Sequence, residues 1–173
     1  VTLKQAGIMG SAIIGEHTTL MVNIFELVET LNPEWFEKKE TIKVSGDRAA
    51  TVLYAEDSNF FRNQIRGYLD DDGYNVLEAE DGIEAWELLN RHEGEVSLII
   101  TDIEMPNMDG FELAQKIHND PRFAHLPIIA LTTMASEEHI KRGKLVGIDD
   151  YQIKLDKEKL MTSVYENLKK MHN

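Results

Sequence analysis

The sequence predicts an α/β protein built on a doubly wound parallel sheet. Over residues 51–173, apolar runs of strand length alternate with segments whose apolar residues recur at helical spacing. Strands that read as continuous apolar runs and are joined by helical crossovers form parallel sheets covered by helices on both faces. The predicted strands are Thr51–Ala55, Tyr74–Glu78, Val96–Thr101, Leu126–Leu131 and Asp149–Ile153.

Five helical segments are predicted from apolar stripes and from the capping residues that precede them. The stripes are Phe61, Ile65, Tyr68 and Leu69, then Ile83, Ala85, Leu88 and Leu89, then Leu113, Ala114 and Ile117, and last Leu160, Val164 and Leu168. The N-cap residues are Ser58, Asp81, Asp109, Ser136 and Asp156. Glu84 and Glu112 follow their caps by three residues, as in a capping box. Of the predicted helices, only the one from about Ser136 to Val146 is weakly amphipathic.

The first 50 residues have a different organisation. Residues 1–32 predict two short strands, Ser11–Ile14 and Thr18–Val22, with a turn at Gly15 and Glu16 between them and a helical turn over Asn23–Leu31 after them. So short a segment cannot close a core alone, and we expect it to be a fragment of a domain. Residues 33–50 are polar and mixed in charge, which predicts a linker, and the second domain begins near Thr51.

Charge and composition exclude several classes of protein. Lys and Arg number 18 against 31 Asp and Glu, and the net charge of −13 repels nucleic acid, so we expect no nucleic-acid partner. Such a field suits a divalent cation or a basic partner surface, although many proteins are acidic for solubility alone. The chain has no cysteine, which excludes disulfides and thiolate metal sites and favours a cytoplasmic location. No apolar run approaches the ~20 residues that span a bilayer, so we expect no membrane insertion. The chain begins at Val1, and we expect it to be part of a longer protein.

Polar side chains collect where the predicted strands end. Glu56 and Asp57 follow the first strand, Asp102 ends the third, Thr132 ends the fourth and Lys154 follows the fifth. In an open parallel sheet these carboxyl ends meet beside the topological switch point. Taken singly, each residue has an ordinary structural explanation, such as a helix cap or a strand end. Together they predict a site.

Three carboxylates at one edge repel one another unless a cation neutralises them, and a ligand set of oxygens alone favours Mg²⁺. We expect Asp57 and Asp102 to be direct ligands of Mg²⁺, joined by the main-chain carbonyl of Glu104. Glu56 is expected to hold a metal-bound water. Because Mg²⁺ keeps several waters and accepts phosphate oxygens, this pattern indicates phosphoryl transfer.

These residues resemble the response-regulator receiver domain, a CheY-like family. The matching motifs are "EDS" after the first strand, "DIEMPNMDG" at 102–110, "ALTT" on the fourth strand and the lysine that closes the fifth. The separations also fit, with 102 − 57 = 45, 132 − 102 = 30 and 154 − 132 = 22. The resemblance covers residues 51 to about 171. It implies a flavodoxin-like (βα)5 fold with strand order 2-1-3-4-5.

The resemblance also implies the chemistry. Asp102 would accept a phosphoryl group from a phosphohistidine on a histidine kinase or phosphotransfer domain, with Mg²⁺ and Lys154 spreading the negative charge. Thr132 and Tyr151 would be the switch residues that respond to the phosphoryl group. The sequence departs from the family pattern at Leu155, where proline is usual, and at Thr133, where a smaller residue is usual. The larger Thr133 predicts slow or altered self-hydrolysis of the phosphoryl group.

The stretch "GIMGSAIIGEHTTLMVNIFELVE" resembles the end of a CheW-like coupling domain. With a linker at 33–50 and a receiver domain at 51–173, the order predicts the C-terminal part of a hybrid CheA-type chemotaxis histidine kinase whose partners are proteins of the chemotaxis signalling array. A CheV-type adaptor shares that order. We see no Gly-rich phosphate loop, so we expect this part of the chain to be a phosphoacceptor with autodephosphorylation at most. Two further alternatives are a pseudo-receiver that only docks partners and a Mg²⁺-dependent hydrolase. Homodimer formation on activation is left open.

Overall fold

The structure, a computed structural model, describes residues 8–14, 17–22, 43–44, 48–133 and 136–171. The chain divides into two compact units, Val1–Lys39 and Glu40–Asn173. In the first unit, β1 (Ile8–Ile14) pairs with β2 (His17–Val22) in an antiparallel ladder. The two strands predicted there lie within β1 and β2. The predicted turn at 15–16 and the predicted helical turn at 23–31 lie outside the described residues.

The second unit opens with a short antiparallel ladder. It pairs β3 (Lys43–Val44) with β4 (Arg48–Ala49), and both strands fall in the stretch predicted to be a linker. Ala50, in the same stretch, is fully buried. The linker over 33–50 stays a prediction, but the compact unit includes the end of that stretch.

A five-stranded parallel sheet follows, with the order β6-β5-β7-β8-β9. Counted from β5, this order is 2-1-3-4-5, so the predicted flavodoxin-like, doubly wound fold is confirmed. The strands are β5 (Thr51–Ala55), β6 (Asn75–Ala79), β7 (Val96–Asp102), β8 (Ile128–Thr132) and β9 (Asp150–Ile153). The predicted start of the fourth strand at Leu126 was wrong. The Leu126 N–H donates to Phe123 O in the preceding turn and Pro127 has no N–H, so β8 begins at Ile128.

Helices follow each strand of this sheet. They are α1 (Asn59–Asp71), α2 (Gly82–Arg91), α3 (Gly110–Asn119), α4 (Glu137–Val146) and α5 (Lys157–Lys170). All five predicted N-cap residues occupy N-cap positions in the structure. Asp109 and Glu112 form a complete capping box, whereas the Glu84 side chain accepts a hydrogen bond from the Glu80 N–H instead. Among the described residues, none of the helices has both the length and the apolar character of a membrane span.

Two apolar layers sandwich the sheet. One layer packs residues of α2 and α3, such as Leu89 and Leu113, against Leu53 and Ile99 of the central strands. The other packs residues of α1 and α5 against the opposite face of the same strands. In α4 Gly143 is the one residue that is buried, in agreement with the weak apolar stripe predicted there. Every residue of β7 is buried, including Asp102 at its carboxyl end.

Leu53 gives a test of the packing, because β5 is an interior strand of the sheet. Leu53 is fully buried between β6 and β7, and Leu53→Ala is expected to lower the free energy of unfolding by about 2–5 kcal/mol because it leaves a cavity. The matched control is Leu145→Ala, since Leu145 is 86% exposed. That change is expected to shift the free energy of unfolding by less than about 0.5 kcal/mol. Urea unfolding of both variants measures the difference, and equal effects would contradict this description of the core.

Candidate functional site

The carboxyl ends of β5 and β7 bring the three predicted acidic residues together. One oxygen atom from each of Glu56, Asp57 and Asp102 lies within 4.8 Å of the others. Glu56 and Asp102 are buried, whereas Asp57 is exposed, so the cluster is open to solvent on the Asp57 side. The other two predicted residues, Thr132 and Lys154, lie at the ends of neighbouring strands. A main-chain hydrogen bond joins them, in which the Lys154 N–H donates to Thr132 O over 3.1 Å.

Lys154 links the two buried acids. Its Nζ atom lies 2.8 Å from Asp102 Oδ2 and 2.8 Å from Glu56 Oε2. The side chain is itself buried, and the Nζ atom lies 4.7 Å from the centroid of the Phe61 ring. The ammonium group is therefore enclosed by two carboxylates and an aromatic face, where water screens its charge only weakly.

Burial and hydrogen bonds with Lys154 act in opposite directions on the pKa values of Glu56 and Asp102. Burial raises the pKa of Glu56 and of Asp102 above their usual values, although hydrogen bonds from Lys154 oppose the rise. Burial alone would lower the pKa of Lys154, but its hydrogen bonds with Asp102 and Glu56 outweigh burial and raise it. Lys154 therefore stays charged. One ammonium group faces three carboxylates, so the ionised site carries a net negative charge.

This donor set fits Mg²⁺. All the converging ligand atoms are oxygens, they lie close enough to share one ion, and the excess negative charge is the kind that a divalent cation relieves. The chain after Asp102 also turns back against the cluster. Main-chain N–H groups of Ile103 and Glu104 donate to the Asp102 carboxylate, the former over 2.7 Å. Glu104, whose carbonyl was predicted to be a ligand, thus adjoins Asp102 in space as well as in sequence.

The start of α3 lies against the end of β7. A Cβ atom at Gly110 would stand 2.1 Å from the Asp102 carbonyl oxygen, so only glycine permits this approach. The Gly110 N–H donates to Ile103 O over 3.0 Å, which fixes the loop between them. The glycine at the end of the 102–110 motif is therefore a packing requirement of the site.

Tyr151, the predicted switch residue, is half-buried against α4. Its hydroxyl donates to the carbonyl of His139 over 2.7 Å. The same hydroxyl occupies the space beside Gly143, where a Cβ atom would lie 1.5 Å from it. Thr132, the other predicted switch residue, is buried at the end of β8. Tyr151 can hold this inward position only because residue 143 of α4 is glycine and has no side chain.

Sequence reasoning missed three residues that contact the site. The Tyr54 hydroxyl donates to Glu56 Oε2 over 3.2 Å, and the Arg62 guanidinium donates to the Glu56 carbonyl over 2.6 Å. Phe61 is the third, through its ring contact with Lys154. The apolar run over Thr51–Ala55 indicates for Tyr54 only a strand position. Side chains two positions apart in a strand share a face, so the spacing of Tyr54 from Glu56 was the available signal for their contact. Nothing in the sequence indicated that Phe61 and Arg62, on the first turn of α1, contact the site.

Comparison with known proteins identifies the family. Residues 52–165 match the response regulator receiver domain. This chain belongs to that family. The receiver domain is 38% identical to the chemotaxis protein CheY1 of Helicobacter pylori over 60% of this chain and 83% of that protein. The chemotaxis protein CheV3 of the same species is 29% identical over 98% of this chain but only 57% of its own length. The sensor histidine kinase CheAY is 29% identical over 91% of this chain and 21% of its own length.

Solved receiver structures agree with the fold. CheY4 of Vibrio cholerae superposes with a TM-score of 0.64 at 33% identity and covers 68% of this chain and 98% of that one. The CheX-CheY-BeF3-Mg²⁺ complex of Borrelia burgdorferi gives a TM-score of 0.64 at 26% identity, covering 68% of this chain and 88% of that one. The chain thus carries a receiver domain of two-component signalling that is similar to those of chemotaxis proteins, and its three clustered acids form an acidic pocket of the kind at which receiver domains bind Mg²⁺.

The niche at Gly143 gives a test of the Tyr151 position. Alanine is the better helix former by about 1 kcal/mol, so Gly143→Ala alone would stabilise α4. Its Cβ atom instead collides with Tyr151, and we expect the ring to leave the niche and the variant to be no more stable than the wild type. Urea unfolding and the NMR contacts of the Tyr151 ring measure both effects.

The matched control is Gly67→Ala in α1, where nothing lies within 4 Å of the added Cβ atom. That variant is expected to gain up to about 1 kcal/mol in the free energy of unfolding. Gly143→Ala made in a Tyr151→Ala background is expected to recover the same gain. A clear gain from Gly143→Ala alone, with the ring still bonded to His139, would contradict the proposed niche.

Proposed function

We propose that this chain is a phosphoacceptor of a chemotaxis phosphorelay and that Asp102 receives the phosphoryl group from a phosphohistidine. The observation that carries the proposal is the buried ion pair at 2.8 Å between Lys154 and Asp102, beside the two further carboxylates of Glu56 and Asp57. An isolated buried acid would only destabilise the fold. One that meets a lysine and two more acids at a solvent-open edge is arranged for chemistry.

In this proposal Asp57, Asp102 and the Glu104 carbonyl hold Mg²⁺ directly, and Glu56 holds it through water. When bound, the ion supplies positive charge to the phosphoryl oxygens as negative charge develops on them. The exposure of Asp57 supports entry of the ion from solvent, and the burial of Glu56 supports a more indirect role for that residue. The oxygen-only donor set described above supports the choice of metal.

The transfer itself needs little proton chemistry. A carboxylate oxygen of Asp102 attacks phosphorus, the P–N bond to the donor histidine breaks, and the imidazole nitrogen keeps the electron pair. The product is an acyl phosphate. Lys154 already places its ammonium group at Asp102, where the incoming phosphoryl oxygens gain charge. No general base is required for a carboxylate nucleophile, and the Lys154 ammonium group at 2.8 Å favours the ionised form of Asp102 against the burial that raises its pKa.

The signal would leave through α4 and β9. Thr132 ends the strand next to β7, and its carbonyl accepts a hydrogen bond from the Lys154 N–H. Tyr151 on β9 is hydrogen-bonded to α4. We propose that the phosphoryl group draws Thr132 toward Asp102 and biases the position of Tyr151, so that the face formed by α4, β9 and α5 changes its population of states.

For the parent protein we propose a hybrid CheA-type histidine kinase, in which residues 1–32 end a CheW-like domain and 33–50 form a linker. The match to CheAY supports this proposal. The match to CheV3 has the same sequence identity, 29%, and supports a CheV-type adaptor to the same degree. The intact mass of the native protein discriminates them, because this chain spans 57% of CheV3 but 21% of CheAY. The proposed partners are a phosphohistidine-bearing kinase or phosphotransfer domain and proteins of the signalling array, in the cytoplasm. Light scattering with and without beryllofluoride tests homodimer formation.

Beryllofluoride, a mimic of the phosphoryl group, tests the phosphoacceptor directly. With Mg²⁺ present, the wild type is expected to bind it saturably, with NMR shift changes at Ile103, Thr132 and Lys154. Asp102→Asn is expected to abolish the response, because an amide oxygen is a far weaker ligand for beryllium than a carboxylate. The measurement is an NMR titration of the whole chain with and without Mg²⁺.

The control for that titration is Asp70→Asn, an exposed aspartate of α1 that pairs with Arg66. It is expected to bind beryllofluoride as the wild type does. If the wild type fails to bind, the pseudo-receiver alternative replaces the proposed function. A hydrolase would instead release phosphate from added phosphomonoesters in many turnovers, which the phosphoacceptor does not do.

Thr133 gives a kinetic prediction. It is exposed directly after Thr132, where a larger side chain can obstruct the water that hydrolyses the acyl phosphate. Thr133→Ala is therefore expected to shorten the lifetime of the phosphoryl group by roughly threefold or more, which corresponds to ~0.6 kcal/mol in the barrier. The decay of phosphorylated protein gives the rate, and Thr162→Ala on α5 serves as the control. An unchanged lifetime would refute the obstruction.

A further inference from the structure

We propose that Tyr54 is a positioning residue for the metal site, and that its buried hydroxyl holds the Glu56 carboxylate in the orientation that sets Mg²⁺ affinity. The inference rests on the proposed function, because it assigns Glu56 a place around the ion. It adds a residue that neither the sequence motifs nor the acidic cluster contains. Tyr54 would not touch the ion or the reacting atoms, so it acts only through Glu56.

Tyr54 lies beneath the site in the core. Its side chain is fully buried, and its ring belongs to the apolar layer packed by α1 and α5. A tyrosine hydroxyl at such a depth must have a polar partner, and the partner here is Glu56 Oε2 at 3.2 Å. A phenylalanine would fill the same space. The hydroxyl therefore contributes a contact that the packing does not require.

The contact completes the set of donors around Glu56. Oε1 accepts from the Ser58 N–H at 3.2 Å and from Lys154 Nζ at 3.1 Å. Oε2 accepts from the Tyr54 hydroxyl and lies 2.8 Å from the same Nζ atom. Two donors reach each oxygen, so the carboxylate cannot rotate without breaking a hydrogen bond. Of these donors, only Tyr54 belongs to the apolar layer packed by α1 and α5.

The main chain of Glu56 is fixed as well. Its N–H donates to Ala79 O over 3.0 Å, and its carbonyl accepts from Arg62 over 2.6 Å. Arg62 in turn pairs with Glu80 at 3.0 Å beyond the end of β6. With the backbone held from both sides, the remaining freedom of Glu56 lies in its side chain. The Tyr54 hydroxyl, the Lys154 ammonium group and the Ser58 N–H then determine where its two oxygens lie.

Loss of the hydroxyl would weaken the site because the Glu56 carboxylate would lose one of the hydrogen bonds that fix its orientation. A bound ion must then supply the entropy cost of fixing that carboxylate, and the affinity for Mg²⁺ falls. Hydrogen-bonded partners of metal ligands typically contribute about 10–100-fold in affinity, and a water-mediated ligand is expected at the lower end.

The test compares Mg²⁺ binding by the wild type and Tyr54→Phe, using the whole chain and calorimetry. We expect the dissociation constant of Mg²⁺ to rise by roughly tenfold in the variant. The matched control is Tyr74→Phe, which removes a hydroxyl from a second buried tyrosine of the same apolar layer, located before β6 at the opposite end of the sheet. The control is expected to bind Mg²⁺ as the wild type does. An unchanged dissociation constant in Tyr54→Phe would overturn the proposal.

A double-mutant cycle shows whether Tyr54 acts through Glu56. In a Glu56→Gln background, we expect Tyr54→Phe to change the dissociation constant by less than about twofold. A tenfold effect that persists there would mean that Tyr54 changes Mg²⁺ affinity by a route other than Glu56, and it would overturn the proposal. Urea unfolding separates these cases again, since a purely structural role lowers the free energy of unfolding of Tyr54→Phe without altering Mg²⁺ affinity in the native state.

Wild-type protein gives an independent measurement should the variant not fold. The Tyr54 hydroxyl proton is expected to exchange slowly and to shift in the NMR spectrum when Mg²⁺ is added, and the absence of a shift would contradict its role. Beryllofluoride binding distinguishes failure of the proposed function from failure of the positioning role of Tyr54. If the wild type binds neither Mg²⁺ nor beryllofluoride, the proposed function fails and this inference fails with it. If the wild type binds both and Tyr54→Phe binds them equally well, the positioning role alone fails.

Discussion

The bridge from Lys154 to Glu56 and Asp102 is the interaction on which the rest of the site depends. Two carboxylates at the ends of neighbouring strands are tolerated in the interior only because one ammonium group lies 2.8 Å from each. The bridge also joins β9 to β5 and β7 across the edge of the sheet. Since one lysine cannot balance three acids, the same interaction that keeps the acids in the fold leaves negative charge for an ion to neutralise.

The remaining parts of the molecule serve this bridge. The fully buried β7 delivers Asp102 to the edge, and Gly110 allows α3 to begin directly beside it. The aromatic ring of Phe61 covers Lys154 from α1. Tyr54 holds the Glu56 side chain from the core, and Arg62, on the first turn of α1, holds the Glu56 carbonyl. Stability and reactivity therefore compete here, because the groups that fix the acids also keep them charged in a place where charge is costly.

Much of the fold could be predicted from the sequence because its signals are local. Strand runs, apolar stripes and caps such as Asp109 with Glu112 depend on neighbours in the chain, and they gave the right elements in the right order. The convergence of acids and a lysine followed from the rule that parallel strands end at one edge. The contacts of Tyr54 and the niche at Gly143 could not be predicted in this way. Each depends on the rotamer of one side chain relative to an element distant in sequence.

The slight burial of α4 has a consequence for the energetics of signalling. Gly143 is the one buried residue of this helix, so detaching or fraying it removes few apolar contacts, whereas the sheet beneath it keeps its own layers. Segments of this kind open at a small fraction of the free energy of global unfolding. In the proposed mechanism, a signal passed through α4 can thus be reversed at a small cost in free energy, while the sheet that holds the proposed phosphoacceptor Asp102 keeps its packing.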